Sequence, residues 1–480
     1  MKLKIVLVAV ALLLGGAGWA VYSLVGSRPP ADRVILLGMD GVAPNLLEPL
    51  VAQGKLPAFK RIMDEGCYGR FGTFRPTESG ILWTSVATGM SMMKHGIIDW
   101  THVEKTTGQQ VPHGDSDRKV RTYWEILAER GIKTGTLNWW WSYPAPPIKN
   151  GYLVTDRFRL VTKLPPSPDT VYPREIFDEI KGMVVKGKKD VLAEAARRGI
   201  PEWKADEAQL PFGGSKRTLD AYPYYIAQDM TVEQVGDYLW EKHPVQVFSI
   251  YLRLIDVTCH FAWHFIDKNL YEEVYGLEKE GKLTEADVAR IDLEFARVMA
   301  PVYQYMDRIV QKYLDRLDGR TALIICSDHG FMFSNGVYAH GNQAKEAPDG
   351  VVFYIGPGAR KGHRIADADL YDIAPTILHL IGQPVAQDMD GRVLKEIFED
   401  SYQSRYPVRT IATYESGERK TGQGSGQEQQ MNKEILEDLQ TLGYIEDSKS
   451  PDSNAAKDAQ SQPAKKREKQ RKATHTQRPK

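Results

Sequence analysis

The segment Val34-Ile-Leu-Leu-Gly-Met-Asp-Gly41 is a continuous apolar run that ends in a carboxylate and a glycine. Apolar runs without polar alternation are typical of strands that are buried on both faces of a parallel sheet. We therefore predict a central strand here, with Asp40 at its carboxyl end.

Similar runs recur along the chain and alternate with helical patterns. Further strands are predicted at 133–139, 245–251 and 321–328, and helices at 44–66, 121–130 and about 284–317; the apolar segments 351–355 and 374–381 complete the core. This alternation predicts an α/β sandwich with a mostly parallel central sheet and helices on both faces. Residues 160–235 are rich in proline and lysine, and we interpret them as an insertion that caps the active face.

The overall composition is that of a globular protein. Of the 480 residues, 42% are hydrophobic and 26% are charged, which excludes collagen, a coiled coil and a polytopic membrane protein. The 62 basic and 62 acidic residues give a net charge of zero, which argues against a nucleic-acid-binding protein. The three cysteines are scattered and form no CxxC motif, so no disulfide framework is expected.

The amino terminus predicts a location outside the cytoplasm. Lys2 and Lys4 precede an uncharged segment, residues 5–25, which is long enough to span a bilayer as a signal anchor. A cleaved signal peptide is the alternative, with the small residues Ala17, Gly18 and Ala20 near the cut. The anchor would tether the protein to the inner or plasma membrane, and cleavage would release it into the periplasm. Residues 26–32 follow as a short linker.

The carboxyl-terminal region has two predicted parts. Residues 401–445 form an extension of the catalytic domain, which spans 33–400. Residues 446–480 lack aromatic side chains and are rich in lysine, glutamine and serine, so we predict a disordered tail. Residues 465–480 hold eight lysines or arginines and one glutamate. The net charge of zero is therefore the sum of a basic tail and an acidic remainder of the chain.

Metal-binding side chains follow three of the predicted strands. They are Asp40 after the first, Asp256 and His260 after the strand at 245–251, and Asp328, His329 and His340 at or after the strand at 321–328. The four-residue spacing of Asp256 and His260 places both on one face of a helix. Because the carboxyl ends of parallel strands meet at one edge, these side chains can converge on a cation. Mixed aspartate and histidine ligands suit zinc or a similar divalent ion.

These motifs and their order resemble the alkaline phosphatase superfamily, and within it the type I phosphodiesterases and nucleotide pyrophosphatases. The resemblance covers about residues 33–400. It rests on Asp40-Gly41, Arg75-Pro-Thr-Glu-Ser-Gly-Ile-Leu-Trp-Thr-Ser-Val-Ala-Thr-Gly89, Lys94-His-Gly-Ile97, Asp256-x-x-x-His260, Ser327-Asp-His-Gly330 and His340.

The resemblance implies a centre with two divalent ions, normally zinc, and a serine or threonine nucleophile at a helix amino terminus. Ser79 matches the position of that nucleophile. The first ion would be held by Asp40, Ser79, Asp328 and His329. The second ion would be held by Asp256, His260 and His340.

The resemblance further implies a hydrolase of phosphate esters, with phosphodiester or pyrophosphate bonds favoured and a phosphoseryl intermediate on Ser79. The expected substrate is a small phosphate ester or an envelope-derived molecule, and no nucleic-acid binding is expected. One alternative is a phosphoryl or phosphoglycerol transferase that acts on a cell-envelope acceptor. Another is a non-catalytic envelope binding protein with the same fold.

Two positions depart from the family pattern. Ser79 is followed by Gly80-Ile81, where the family commonly has a proline-containing pair. Nucleotide-cleaving members carry an asparagine after the HGI motif, where this chain has Asp99-Trp100. The tryptophans at 139–141 could line a substrate pocket, but packing is the favoured interpretation.

Overall fold

A computed structural model describes residues 28–105, 107–203, 216–341, 344–424 and 426–445. The predictions of an anchor or signal peptide at 1–25 and of a disordered tail at 446–480 concern residues outside those ranges. Among the described helices, none combines the length and the apolar character that a membrane span requires.

A nine-stranded sheet organises the described residues, in the order β13-β2-β12-β9-β1-β8-β5-β6-β7. The strands are β1 (Arg33–Met39), β2 (Cys67–Gly72), β3 (Thr101–Val103), β4 (Gln110–Pro112), β5 (Thr134–Trp139), β6 (Tyr152–Thr155), β7 (Val171–Tyr172), β8 (Val247–Leu252), β9 (Thr321–Cys326), β10 (Met332–Ser334), β11 (Val337–Ala339), β12 (Gly350–Ile355), β13 (His363–Asp369), β14 (Val385–Ala386) and β15 (Thr410–Ile411). Five neighbouring pairs of the large sheet are parallel. Strand β12 pairs antiparallel with both β2 and β9, and β7 pairs antiparallel with β6.

Helices cover this sheet. They are α1 (Pro44–Ala52), α2 (Pro57–Glu65), α3 (Ser79–Thr88), α4 (Met92–His95), α5 (Tyr123–Glu129), α6 (Arg174–Ile180), α7 (Lys188–Arg197), α8 (Lys216–Lys242), α9 (Leu254–Ala262), α10 (Lys268–Lys279), α11 (Glu285–Leu314), α12 (Ile373–Leu380), α13 (Asp400–Arg405) and α14 (Glu428–Thr441).

Strand β1 shows why helices pack on both faces. Ile35 and Leu37 point into one hydrophobic core, while Val34 and Leu36 point into the other. All four side chains are fully buried, as expected for alternating residues of a central strand. The predicted α/β sandwich with a mostly parallel sheet is thereby confirmed.

The parallel register brings several strand ends to one edge of the sheet. Met39 of β1 pairs with Leu252 of β8, and Gly38 pairs with Cys326 of β9. The residues that follow these strands therefore emerge side by side, which is where the predicted metal ligands lie.

The structure differs from the predicted helix at 44–66, which is two helices, α1 and α2. Gly54 has a positive φ of 70°, and Pro57 occupies the first turn of α2. A left-handed glycine ends a helix, and a proline at the first helical position begins the next one.

The segment at 160–235 and the carboxyl-terminal extension both contribute to the cores. Residues 160–235 contain β7, α6, α7 and the first part of α8, whose Ile226 and Met230 are fully buried in the core that also holds α1. In the extension, α14 buries Ile435 and Leu439 in the opposite core.

Candidate metal and active site

A glycine allows two metal-binding elements to approach each other. Gly41 follows Asp40 with a φ of 72°, and a Cβ atom at this position would lie 2.8 Å from the Cα of Asp256. No side chain fits between the end of β1 and α9, and the left-handed backbone also favours glycine. The Asp-Gly pair therefore places the Asp40 carboxylate next to Asp256.

The first predicted ligand group is gathered around His329. Its Nε2 atom lies 3.3 Å from Oδ1 of Asp40 and 3.5 Å from Oδ2 of Asp328. The hydroxyl of Ser79 is 3.5 Å from both Asp40 Oδ1 and His329 Nε2. All four side chains are buried.

The second predicted group is gathered around Asp256. Its Oδ1 atom lies 3.4 Å from Nε2 of His260 and 3.6 Å from Nε2 of His340. The two groups adjoin, because Asp256 Oδ1 is also 3.9 Å from His329 Nε2. The structure thus brings all seven sequence-predicted residues into one cluster. Tetrahedral zinc with bonds of about 2.0–2.1 Å separates its ligand atoms by about 3.4 Å, which matches these spacings.

Backbone carbonyls fix the orientation of two imidazoles. The Nδ1 atom of His329 lies 3.1 Å from the carbonyl oxygen of Gly330, and that of His340 lies 3.1 Å from the carbonyl oxygen of Thr77. A carbonyl only accepts, so Nδ1 carries the proton in both rings and Nε2 presents its lone pair to the cluster. The Thr77 hydroxyl also donates to the backbone carbonyl of His340.

Several buried carboxylate oxygens in the cluster have no hydrogen-bond partner, which shows whether a metal ion would fit there. Oδ1 of Asp256 and both oxygens of Asp328 are buried and accept no hydrogen bond. Unpaired buried carboxylate atoms cost several kcal/mol, and a divalent ion would remove that cost. The residues present therefore fit divalent metal ions.

The electrostatics of the cluster are strongly perturbed. Burial and the neighbouring Asp40 carboxylate raise the pKa of Asp328 far above its usual range. Burial alone would lower the pKa of His329, but the carboxylates of Asp328 and Asp40 raise it to about 10. Burial lowers the pKa of His340 well below its ordinary value. Such opposed shifts within one cluster are typical of functional sites.

Two tyrosines contact the ligands and were missed by sequence reasoning. The Tyr251 hydroxyl donates to Oδ2 of Asp40, and the Tyr444 hydroxyl donates to Oδ2 of Asp256. Tyr251 could have been found, because strand pairing places it opposite Gly38, two residues before Asp40. Nothing in the sequence around Tyr444 indicates its place, since it depends on how α14 packs.

Polar contacts hold α14 against the site. Asp438 forms a buried ion pair of 2.8 Å with Arg253, the residue that precedes α9. Glu434 pairs with Lys163 at 3.1 Å. Beyond the helix, the Tyr444 ring stacks on Trp100 with a centroid distance of 4.7 Å. The extension thus reaches the metal ligands through a fixed helix.

The nucleophile candidate begins a helix. Ser79 is the first residue of α3, and the backbone amides of Ile81 and Leu82 donate to the Glu78 carbonyl. The amides of Ser79 and Gly80 stand in the first turn, where no intrahelical acceptor exists, so they can bind phosphate oxygens.

Glycine at position 80, the first residue of the Gly80-Ile81 pair, has a steric reason. A Cβ atom on Gly80 would lie 2.3 Å from Nε1 of Trp141. Trp139, Trp140 and Trp141 are all buried in the core next to α3, as the packing interpretation expects. Glycine at position 80 therefore allows the tryptophan cluster to support the helix of Ser79.

Comparison with solved structures gives several distant likenesses. Human ectonucleotide pyrophosphatase/phosphodiesterase 5 is 12% identical, with 77% of this chain and 100% of that chain covered and a TM-score of 0.45. The phosphonate monoester hydrolase of Silicibacter pomeroyi is 12% identical, with 76% of each chain covered and a TM-score of 0.41. A 2-O glycosaminoglycan sulfatase is 12% identical, with 76% of this chain and 74% of that chain covered and a TM-score of 0.45. No curated protein sequence matches the chain.

The family comparison covers most of the chain. The model of the type I phosphodiesterase/nucleotide pyrophosphatase family matches residues 34–409. This range contains every metal ligand predicted from the sequence. The chain therefore belongs to the type I phosphodiesterase/nucleotide pyrophosphatase family of the alkaline phosphatase superfamily, a group of metal-dependent hydrolases of phosphate esters.

Proposed function

We propose that the protein cleaves phosphodiester or pyrophosphate bonds outside the cytoplasm through a phosphoseryl intermediate on Ser79. The observation that carries this proposal is the position of the Ser79 hydroxyl, 3.5 Å from Asp40 and from His329 at the first turn of α3. This position supports a role for Ser79 as the nucleophile, beside the predicted metal ligands and in the first turn of the helix.

The cofactor in this proposal is a pair of divalent ions, and zinc suits the donor set. Asp40, Ser79, Asp328 and His329 would hold one ion, and Asp256, His260 and His340 would hold the other. When bound, such ions supply positive charge that activates a nucleophile and stabilises attacking and leaving oxygens.

The chain's own residues bind and orient the phosphate group of the substrate, and the reaction proceeds in two displacements at phosphorus. The Ser79 Oγ atom attacks phosphorus, its proton leaves toward Asp40 Oδ1, and the bond from phosphorus to the leaving oxygen breaks. The amides of Ser79 and Gly80 bind the nonbridging oxygens. The proton taken up at Asp40 Oδ1 leaves with the released oxygen as an alcohol or acid. In the second displacement, water attacks phosphorus, the bond between Oγ and phosphorus breaks, and the proton that water loses passes to Ser79 Oγ.

Hydrolysis assays with metal analysis test the nucleophile. We expect the wild-type protein to cleave bis(p-nitrophenyl) phosphate faster than p-nitrophenyl phosphate. Ser79→Ala should lose turnover by at least about a thousandfold, as expected when a covalent nucleophile is removed, yet still bind metal. Ser91→Ala, a change at the start of the neighbouring α4, is the control and should keep full activity.

The intermediate gives a second readout. Acid quenching during turnover should trap one phosphoryl group on Ser79, detectable by peptide mass spectrometry. Turnover that survives Ser79→Ala, or a purified protein that holds no divalent metal, would overturn the proposal. Transfer of the phosphoryl group to added glycerol instead of water would favour a transferase.

The proposed location rests on the uncharged segment at residues 5–25 behind Lys2 and Lys4. An anchored enzyme would meet small phosphate esters or envelope-derived substrates at the membrane surface. Protease added to spheroplasts should degrade the catalytic domain while a cytoplasmic marker stays intact. Protection of the domain until the membrane is lysed would contradict an extracytoplasmic location.

A further inference from the structure

A separate group of metal-ligating side chains lies outside the catalytic cluster and consists of His102, His113 and Asp117. We propose that this group binds one additional divalent transition-metal ion, such as zinc, which ties the β3–β4 hairpin to the turn that follows it. The proposal does not depend on the reaction at Ser79.

The distances within the group suit one ion. Nδ1 of His113 lies 3.3 Å and Nδ1 of His102 lies 3.6 Å from the same Oδ2 atom of Asp117. Tetrahedral zinc with bonds of about 2.0–2.1 Å requires ligand atoms about 3.4 Å apart. The three ligand atoms all lie within 4.8 Å of one another, so a single ion fits among them.

The buried imidazole of His113 lacks the hydrogen bonds that its ring nitrogens would normally make. Its residue exposure is 6%, Nε2 has no hydrogen-bond partner, and Nδ1 faces the Asp117 carboxylate at 3.3 Å without the geometry of a hydrogen bond. Nδ1 of His102 is likewise buried without a partner. Most buried polar atoms in native proteins are satisfied, so this pair of imidazoles needs an explanation. A shared ion supplies one for both Nδ1 atoms.

The carboxylate is held in place for this role. Oδ2 of Asp117 accepts a 2.8 Å hydrogen bond from the backbone amide of Gly114. A ligating carboxylate that is fixed by a further hydrogen bond is typical of metal sites. The neighbouring histidines lower the pKa of Asp117 against the opposing effect of burial, so the carboxylate is ionised at neutral pH.

The site is local and open to solvent. His102 lies on β3, His113 directly follows β4, and Asp117 ends the short helical turn Asp115–Asp117. The side chains of His102 and Asp117 are 34% and 25% exposed, which leaves an entry path and room for water as a fourth ligand. Three protein ligands with a fourth position open to water are a common arrangement for zinc.

The ion would stabilise a wall of the catalytic site. Strand β3 begins directly after Trp100, whose ring stacks on Tyr444 beside His260. The His113 ring packs edge-on against Trp141 with a centroid distance of 5.9 Å. Fixing the hairpin therefore restrains Trp100 and Trp141 without touching the reacting groups.

Metal content of the purified full chain tests the proposal. After loading with zinc and dialysis, His102→Asn and Asp117→Asn should each bind one equivalent fewer than the wild type. His243→Asn is the matched control, because His243 is similarly exposed and also contacts one carboxylate, that of Glu179. The control should keep the wild-type metal content.

A spectroscopic readout separates this site from the catalytic centre. In an Asp328→Asn/His260→Asn background, which removes one ligand from each predicted catalytic ion site, added Cu²⁺ should give an electron paramagnetic resonance signal with nitrogen coupling, and His102→Asn should weaken it. Zinc should also raise the melting temperature of Asp328→Asn, and His102→Asn should reduce that gain. Unchanged metal content and copper spectra in both hairpin variants would show that the group is only a histidine–aspartate ion pair, and would overturn the proposal.

Discussion

The hydroxyl of Tyr444 lies 3.0 Å from Nε2 of His260, although the two residues are 184 positions apart. The same hydroxyl donates to the carboxylate of Asp256. Tyr444 lies beyond residue 409, where the family match ends. A segment outside the residues that the family model matches therefore contributes a side chain to the cluster of predicted metal ligands.

Truncations should separate α14 from the tail. A chain that ends at residue 445 should keep wild-type activity and stability, because it retains Tyr444. A chain that ends at residue 425 should lose activity and at least about 4 kcal/mol of unfolding free energy. Met431, Ile435 and Leu439 are each at most 2% exposed, and burial of such side chains contributes roughly 1.5–3 kcal/mol apiece. Urea unfolding and initial rates measure both effects, and equal stability of the two truncations would contradict this view.

Removal of one hydroxyl should affect catalysis more than folding. Tyr444→Phe leaves His260 and Asp256 without this partner, so we expect kcat/KM to fall about tenfold, since hydrogen bonds to charged groups contribute roughly 1.5–3 kcal/mol. Tyr414→Phe is the control, because its hydroxyl donates to the Pro384 carbonyl at 2.6 Å, away from the cluster. Steady-state kinetics and zinc titration should show a loss only for the first variant. Equal kinetics for both variants would remove Tyr444 from the functional site.

Two glycine substitutions should have opposite effects. Gly80→Ala places a methyl group 2.3 Å from Trp141 Nε1, so we expect roughly 1–3 kcal/mol of destabilisation and a lower kcat as α3 shifts. Gly276→Ala in α10 meets no atom within 4 Å and should stabilise the protein by up to about 1 kcal/mol. Denaturant unfolding of both variants measures the contrast. A neutral Gly80→Ala variant would show that Trp141 moves aside freely.

Buried histidines should make the protein acid-sensitive. Burial, together with the charge of Arg118, lowers the pKa of His95 to about 3. Nδ1 of His95 accepts the Ile97 amide at 3.2 Å, and its Nε2 lies 3.0 Å from the Ser85 hydroxyl, so the neutral ring fits both contacts. The folded pKa is below the unfolded value of about 6.5, so this contribution to stability is present above pH 6.5 and is lost as pH falls toward 3.

The measurement is urea unfolding between pH 4 and pH 7. Burial also lowers the pKa of His264 and His379 to about 4, so the wild-type free energy of unfolding should fall steeply over this range. His95→Asn should lower stability at neutral pH and should flatten the slope by about 1.4 kcal/mol per pH unit, the value for one proton. Parallel curves for the variant and the wild type would rule out His95 as a source of the acid sensitivity.

Local patterns in the sequence were enough to predict most of the central strands of the fold. Continuous apolar runs identified β1, β5, β8 and β9, and placed the residues of β12 in the core. Strand β2 escaped prediction because Gly69 and Arg70 interrupt its apolar character. Strand β13 lies at the sheet edge, where Arg364 and Asp367 face solvent. Both strands are defined by pairing with neighbours, which a local pattern does not report.

The sequence by itself predicted the α/β sandwich and six metal-binding side chains at strand ends, because apolar runs make buried strands and parallel strands end at one edge. The seventh predicted ligand, Ser79, came from the resemblance to the family. Only the tertiary structure decided the roles of Tyr444, Tyr251 and the His102–His113–Asp117 group. Their neighbours come from helix packing, strand register and hairpin folding, and those contacts are set by how buried surfaces fit together rather than by spacing along the chain.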